Sequence, residues 1–400
     1  MHRVHTGDVR LPVRLRERPR FWPTFRSPLH EPAVAARIGR VLGICVLVCF
    51  GTGLLSHYQY HPWTWLPEPA TPAWGYRLSQ GVHVFTGIAC IPLVLVKLWT
   101  VYPRLFAWPP TRSVLHALER LTVAVLVATV LIELITGLLN ILNWYPWPWD
   151  FVYVHYALAW VVAGSVLLHV AVKLDVIRTG LAAPFPGPAE APIKPPPPEG
   201  RAPATSGISR RGLLLAAAGG VGVITLTTVG QAASPLEPFA VLAPRRPDQA
   251  PLDVPINRTA AQAMVGSLAG AESYRLTIEG PRSFDLDLAA LAALPTVDEV
   301  IPLACVEGWS VSARWRGVRL IDLVRRAGGG AHSAVRVVSL ETVGAFGSSI
   351  VRGPQLGHAI LATHLNGSRL TLDHGYPVRL IAPDRAGVLN TKWLTRVTVS

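Results

Sequence analysis

Residues 301–310 read IPLACVEGWS, which puts a single cysteine at the end of a short apolar run. The other three cysteines, Cys45, Cys49 and Cys90, lie far away in long apolar segments. Cys305 therefore has no disulfide partner in view. Two readings stand. A lone cysteine can be a small buried hydrophobe, or a thiolate that ligates metal or attacks substrate. The surrounding chain has to decide between them.

Toward the C-terminus, runs such as YRLTIEG, VRVVSL, YPVRLIAP and LTRVTVS have the β-branched alternation of strands, and LIDLVRRAG has helical spacing. Residues 253–400 thus read as one α+β domain with its own core. Toward the N-terminus the composition changes. The 400-residue chain is 50% hydrophobic and only 15% charged, too apolar for a wholly water-soluble protein. Apolar stretches run from Ile38 to Ser56, Gly81 to Val101, Leu121 to Leu142 and Val152 to Val172. Each is close to the ~20 residues a spanning helix needs. Residues 38–175 therefore read as a four-helix membrane bundle. The formal charge of +13 does not imply nucleic acid, because the arginines cluster beside apolar segments.

Those arginines also set orientation. Residues 1–37 form a basic tail without the apolar core of a cleavable signal. The loop after the second span carries Arg104 and Arg112, and the segment after the fourth carries Lys173 and Arg178. By contrast, residues 57–80 hold only Arg77, and NWYPWPWD holds no Lys or Arg. The expectation is a multi-pass protein of the cell membrane with a cytoplasmic N-terminus. A proline-rich linker, 176–208, follows. Next comes SRRGLLLAAAGGVGVITLTTVGQAAS, whose residues 209–233 read as a fifth apolar helix, with two arginines preceding about 18 apolar residues. It resembles an internal twin-arginine export signal, and a plain fifth span fits equally. Either way the α+β domain comes to lie outside the cytoplasm.

Ionisable residues in spans are costly and point to function. His57, His83 and His155 fall near the outer face, and His116 and His169 near the inner one. Fourteen residues on a helix rise roughly 21 Å and fall about 40° short of whole turns, so His155 and His169 project from nearly one face. That arrangement suits two stacked haems, with Ala159, Ala163 and Gly87 leaving room for a flat ring. These features resemble the four-helix b-type cytochromes that exchange electrons with quinones. The resemblance implies haem b, one or two, with His83 and His155 as outer ligands and His169 and His116 as inner ones. Lys97 departs from it, standing where a histidine would match. Glu133, mid-span, either carries protons to and from a quinol or hydrogen-bonds a neighbouring helix.

CVEGWSVSARWRGVRLIDLV (305–324) and LDHGYPVRLIAPDRAGVLNTKWLTRVTV (372–399) give Cys305 its context. Together they resemble the molybdopterin-binding domain of the sulfite oxidase family, from about Asn257 to the C-terminus. The resemblance implies that Cys305 binds molybdenum beside the pterin dithiolene. It also implies pterin contacts from Asn257, Thr342, His374, Arg379 and Lys392, and from the backbone at Gly387, Val388 and Leu389. Leu389 departs, because many members carry a basic residue there, which shifts the phosphate grip toward the backbone and Arg385. The eukaryotic sulfite oxidases read C-x-G-N-R after the cysteine. Here CVEGW resembles the catalytic subunit of bacterial periplasmic protein-methionine-sulfoxide reductases instead, which implies a catalytic role for Glu307. Trp309 reads as core packing or as a pocket wall. Arg314 and Arg316 read as surface or as substrate contacts.

The combined expectation is a helical membrane bundle followed by a sulfite-oxidase-like domain. It would be an oxidoreductase passing electrons from quinol through haem b to a molybdenum-molybdopterin centre that reduces a sulfoxide-like substrate. The alternatives are a sulfite-type oxidase delivering electrons to quinone, or a non-catalytic electron-transfer or sensor protein.

Overall fold

Each apolar stretch forms one continuous helix: α1 Pro32–Tyr60, α2 Gly75–Val101, α3 Val114–Ile141, α4 Phe151–Ala182 and α5 Arg210–Val229. All five are long and apolar enough to cross a membrane. The computed structural model describes residues 27–63, 65–184, 208–266, 272–342, 344 and 346–400. Most of the basic tail and of the proline-rich linker lies outside the described residues. The helices run past the apolar windows at several ends, because backbone pairing continues through polar residues such as Arg37, His57 and Arg178 once a helix is nucleated. Polar caps fix two starts. Ser209 Oγ accepts from Gly212 N at 3.0 Å at the head of α5. Ser113 Oγ accepts from His116 N at 3.2 Å at the head of α3.

The chain forms two compact units. The first comprises residues 1–47, 87–136 and 152–224. Here Lys97 Nζ donates to the Ala35 carbonyl at 2.7 Å, so the lysine that departs from the cytochrome pattern ties α2 to α1. Arg210 pairs with Glu31 at 2.7 Å. Lys173 pairs with Glu119.

The second unit comprises residues 48–86, 137–151 and 225–400. It therefore begins before residue 253 and includes the segments between α1 and α2 and between α3 and α4. The first sheet has the order β2-β1-β10-β5-β6, formed by β1 Leu276–Glu279, β2 Phe284–Leu286, β5 Val335–Ser339, β6 Ser348–Val351 and β10 Leu394–Val399. Only the β1–β10 pair in it is parallel. The second sheet has the order β3-β4-β7-β8, with β9 also on β7, formed by β3 Val297–Ala304, β4 Ser310–Arg319, β7 Ile360–Leu365, β8 Ser368–Arg369 and β9 Arg379–Ile381. Short helices α6 Leu288–Ala292, α7 Leu320–Arg326 and α8 Pro354–His358 complete it.

One core gathers Leu276, Ile278, Leu320, Val324, Leu380 and Leu394, all at most 3% exposed. A second lies under the β3–β4 hairpin and includes Ile301, Leu303, Cys305, Trp309, Ala313 and Trp315. On β4, Ala313 and Trp315 point inward while Arg314 and Arg316 point outward, the two-residue period of a half-buried strand. Arg314 and Arg316 are thus exposed on the outer face of β4. β3 has no counterpart among the strand-like runs of the sequence because Pro302 interrupts it. It is an edge strand, where proline is tolerated.

Candidate functional site: a cysteine turn facing two buried cations

Cys305 opens the five-residue turn between β3 and β4. Its N–H donates to the Trp309 carbonyl at 3.0 Å, and the Gly308 N–H donates back to the Cys305 carbonyl at 3.1 Å. Gly308 adopts φ +85°, a conformation that favours glycine. The thiol is 2% exposed. It faces a cleft lined by Pro255, Asn257, Leu303, Cys305, Trp309, Arg379, Gly387 and Lys392. Burial, reinforced by nearby Glu307, pushes the thiol well above its usual range, against the pull of Arg245 and Lys392. A thiolate is stable here only beside a strong cation such as a metal.

Two basic side chains share this lining. Arg379 is 3% exposed. Its Nη1 donates to the His374 carbonyl at 3.1 Å and its Nη2 to the Asn390 carbonyl at 3.2 Å, while Nε is buried without a hydrogen-bond partner. Burial pulls its pKa down to about 9, which still leaves it charged at neutral pH. Lys392 Nζ donates to the Arg258 and Asp373 carbonyls, both at 2.9 Å. Burial, and then Arg379, pulls it down to about 7. Neither cation has an ion-pair partner among the described residues. A buried uncompensated charge is expensive, so this wall calls for an anion.

Gly387 completes the floor. A Cβ on it would lie 2.7 Å from the Ala304 carbonyl oxygen, closer than side-chain carbons pack. The segment 386–387 can therefore lie against the end of β3, where Ala304 bridges Ala386. Val388 and Leu389 pack beside Tyr60, Tyr76, Ala304 and Ala386. Among the described residues, no three His, Cys, Asp or Glu side chains gather as a metal site. A metal at Cys305 must therefore arrive with its other ligands attached, and anionic ones suit Arg379 and Lys392. A molybdopterin-type group fits that requirement.

Other candidates sit around this cleft rather than in it. Glu307 is 5% exposed. It accepts from Trp309 Nε1 at 3.1 Å and lies 3.0 Å from Arg245 Nη1. Burial raises its pKa, opposed chiefly by Arg245. Trp309 thus serves both as core and as cleft wall. Arg245 carries no motif in the sequence, and only the fold brings it to Glu307. His374 donates from Nε2 to the Val254 carbonyl at 2.9 Å, and its Nδ1 lies 2.7 Å from Thr371 Oγ1. Both ring nitrogens are thereby used, and the residue serves the cleft by anchoring Arg379 through its carbonyl. Arg385 spends its guanidinium on the Leu389 carbonyl, Gln355 Oε1 and the Ile350 carbonyl. Thr342 is exposed beyond β5 and does not line the cleft.

Two of the histidines share a chemical arrangement. His83 Nδ1 lies 3.0 Å from the Cys49 carbonyl and 3.1 Å from Thr52 Oγ1. His155 Nδ1 lies 3.0 Å from Glu133 Oε2. A carbonyl and a carboxylate accept, so Nδ1 donates in both rings. Metal-ligating histidines likewise donate from the ring nitrogen that does not ligate. Gly53 leaves room for the His83 ring, since a Cβ there would lie 3.4 Å from Cε1. His116 is different. Its Nδ1 accepts from Arg112 N at 3.1 Å, as part of the α3 cap, so its proton sits on Nε2. Nδ1 of His169 is buried without a hydrogen-bond partner. Glu133 thus bonds a neighbouring helix.

Residues 263–400 match the family described as the oxidoreductase molybdopterin binding domain. The C-terminal part of the chain is a molybdopterin-binding oxidoreductase domain of the sulfite oxidase family. The chain is 34% identical over 160 residues to the sulfite oxidase of Gallus gallus, covering 32% of this chain and 35% of that one. It is 30% identical over 135 residues to an Azospira oryzae protein provisionally named protein-methionine-sulfoxide reductase subunit YedZ1, covering 32% and 50% respectively. Among solved structures, it matches the sulfane dehydrogenase SoxCD from Paracoccus pantotrophus at 21% identity with a TM-score of 0.30, over 32% of this chain and 38% of that one. The chain thus spans about a third of the length of the sulfite oxidases it matches.

Proposed function

We propose that this chain is a membrane-bound molybdopterin-dependent reductase that draws electrons from quinol through b-type haem. Its substrate is a sulfoxide or a similar oxo compound, reduced on the extracytoplasmic side. One observation carries the reading: a buried cysteine and two buried basic side chains without ion-pair partners among the described residues line a single cleft. Bound there, a molybdopterin centre would supply two-electron oxygen-atom transfer. The chain's own residues supply the rest. Cys305 offers the metal its one protein ligand. Arg379, through its unpartnered Nε, and Lys392 neutralise the pterin's anionic groups, and Gly387 lets the backbone approach. Asn257 lies on the same wall. The Arg245–Glu307–Trp309 group holds the turn in place.

For haem, His83 and His155 are the outer candidates, each donating through Nδ1 to an oxygen acceptor as metal-ligating histidines do. His116 is left out of this proposal, because its cap bond puts the ring proton on the atom an iron would take. His169 remains the inner candidate. The overall reaction balances as quinol plus sulfoxide giving quinone, sulfide and water: quinol releases two electrons and two protons, and the sulfoxide takes up two of each.

The second reading runs the other way, with sulfite oxidised and quinone reduced. What favours it is the sulfite oxidases among the similar proteins. The test is optical. Purified holoenzyme is reduced with a quinol analogue, and the haem α-band is followed on adding methionine sulfoxide. Rapid bleaching supports the reductase. Band growth when sulfite is added to oxidised protein would instead establish the oxidase.

A further inference from the structure

The Cys305 turn is held from outside the sheet domain as well as from within it. Asn140 Nδ2, at the end of α3, donates to the Val306 carbonyl at 3.0 Å. Tyr145 Oη in turn donates to Asn140 Oδ1 at 2.8 Å. Ser310 Oγ donates to the Ala232 carbonyl at 2.8 Å. Gly308 lies against α2, where a Cβ would come within 3.2 Å of Val84 Cγ1. Val84 is the residue after His83. All these residues belong to the same compact unit.

We infer that the docking of residues 306–308 on Val84 and Asn140 is the electron junction between His83 and Cys305. This rests on the reading above, in which His83 ligates haem and Cys305 ligates molybdenum. The route is short in bonds. His83 and Val84 share a peptide bond, the Val84 side chain stands beside Gly308 with no room between them for a further side chain, and three peptide bonds lead from Gly308 to Cys305. Electron tunnelling falls off more steeply across gaps than along bonds and packed contacts, so the Val84–Gly308 contact is the step that geometry controls. The Asn140 amide sets that geometry by gripping the turn's own backbone carbonyl. An unmet carbonyl there is costly, which keeps the turn seated. The junction passes electrons only, one at a time. The two protons consumed per sulfoxide arrive from solvent on the substrate side. Asn140 and Val84 are positioning residues that touch neither substrate nor cofactor.

The test compares full-length wild-type holoenzyme with Asn140→Leu and Val84→Ala. The haem spectrum, the bound molybdenum and turnover driven by reduced viologen, which feeds the outer centre directly, should match wild type. Reoxidation of quinol-reduced haem by methionine sulfoxide should slow several-fold. In full-length protein made without molybdopterin, the amides of residues 305–309 should exchange roughly tenfold faster in Asn140→Leu, as expected for an unmet buried carbonyl. Reoxidation at the wild-type rate in both variants overturns the junction. So does a parallel fall in viologen turnover, which would mark the contact as structural support alone. A wild type without haem would overturn the parent reading and the junction with it, and the exchange measurement would still report whether Asn140 seats the turn.

Discussion

At the scale of single residues, Cys305 and Arg379 divide the work of the cleft between a metal ligand and an anion partner. Cys305→Ser should abolish turnover and lower bound molybdenum while leaving the haem spectrum unchanged; a variant with full turnover would refute the ligand assignment. Arg379→Met removes a buried cation that has no carboxylate partner among the described residues. Cofactor content should therefore fall sharply, whereas the cofactor-free protein should keep or gain stability, by about 1–3 kcal/mol on the scale of replaced buried charges. Denaturant titration of the two cofactor-free proteins decides it. Gly387→Ala drives a methyl into the Ala304 carbonyl, at a cost of roughly 1–3 kcal/mol in the manner of an overpacked site, and it should cut cofactor retention with it.

At the scale of elements, what was legible in the sequence depended on how local the cause was. The apolar stretches announced five helices, and CVEGW and HGYPVR announced both walls of the cleft, because each is a contiguous run. Arg245 was not legible. It reaches Glu307 only because the chain after α5 folds back over the turn, and no spacing rule carries that. The cap role of His116 was hidden for the opposite reason: a histidine at a helix start looks the same in sequence whether it serves iron or the backbone. β3 was masked by Pro302. Asp384, in the segment after β9, accepts from Tyr76 N at the start of α2. Burial raises its carboxyl pKa against that hydrogen bond. The sign follows. A carboxyl raised in the folded state contributes stability that is complete below its unfolded value of about 3.9 and is lost as pH rises through the folded value. Asp384→Asn can keep accepting from Tyr76 N without that loss. Its melting temperature should therefore gain on wild type as pH rises from acid to neutral. A constant difference would show that Asp384 does not titrate in this window.

At the scale of the whole molecule, the sheet domain shares its compact unit with segments that precede it by some two hundred residues. The α1–α2 connection is fastened to it through Arg352 with Glu68 at 3.5 Å and Gln355 Nε2 to the Pro69 carbonyl at 3.2 Å. A fragment of residues 225–400 would lose those partners and expose what Tyr60, Tyr76 and Val84 cover. It should melt at a lower temperature than the same domain in the full chain, and equal melting temperatures would show that the domain is self-sufficient.

The cationic wall also has a consequence for the life of the protein in the cell. A ligand that binds only the folded state stabilises it in proportion to the logarithm of its supply. An anion bound at Arg379 and Lys392 offsets charge that burial otherwise makes costly, so the protein without it is the weaker form. When the pterin is scarce, the vacant pool should open more often and be cleared by proteases. The abundance of this protein should then track cofactor synthesis, without any dedicated sensor of it.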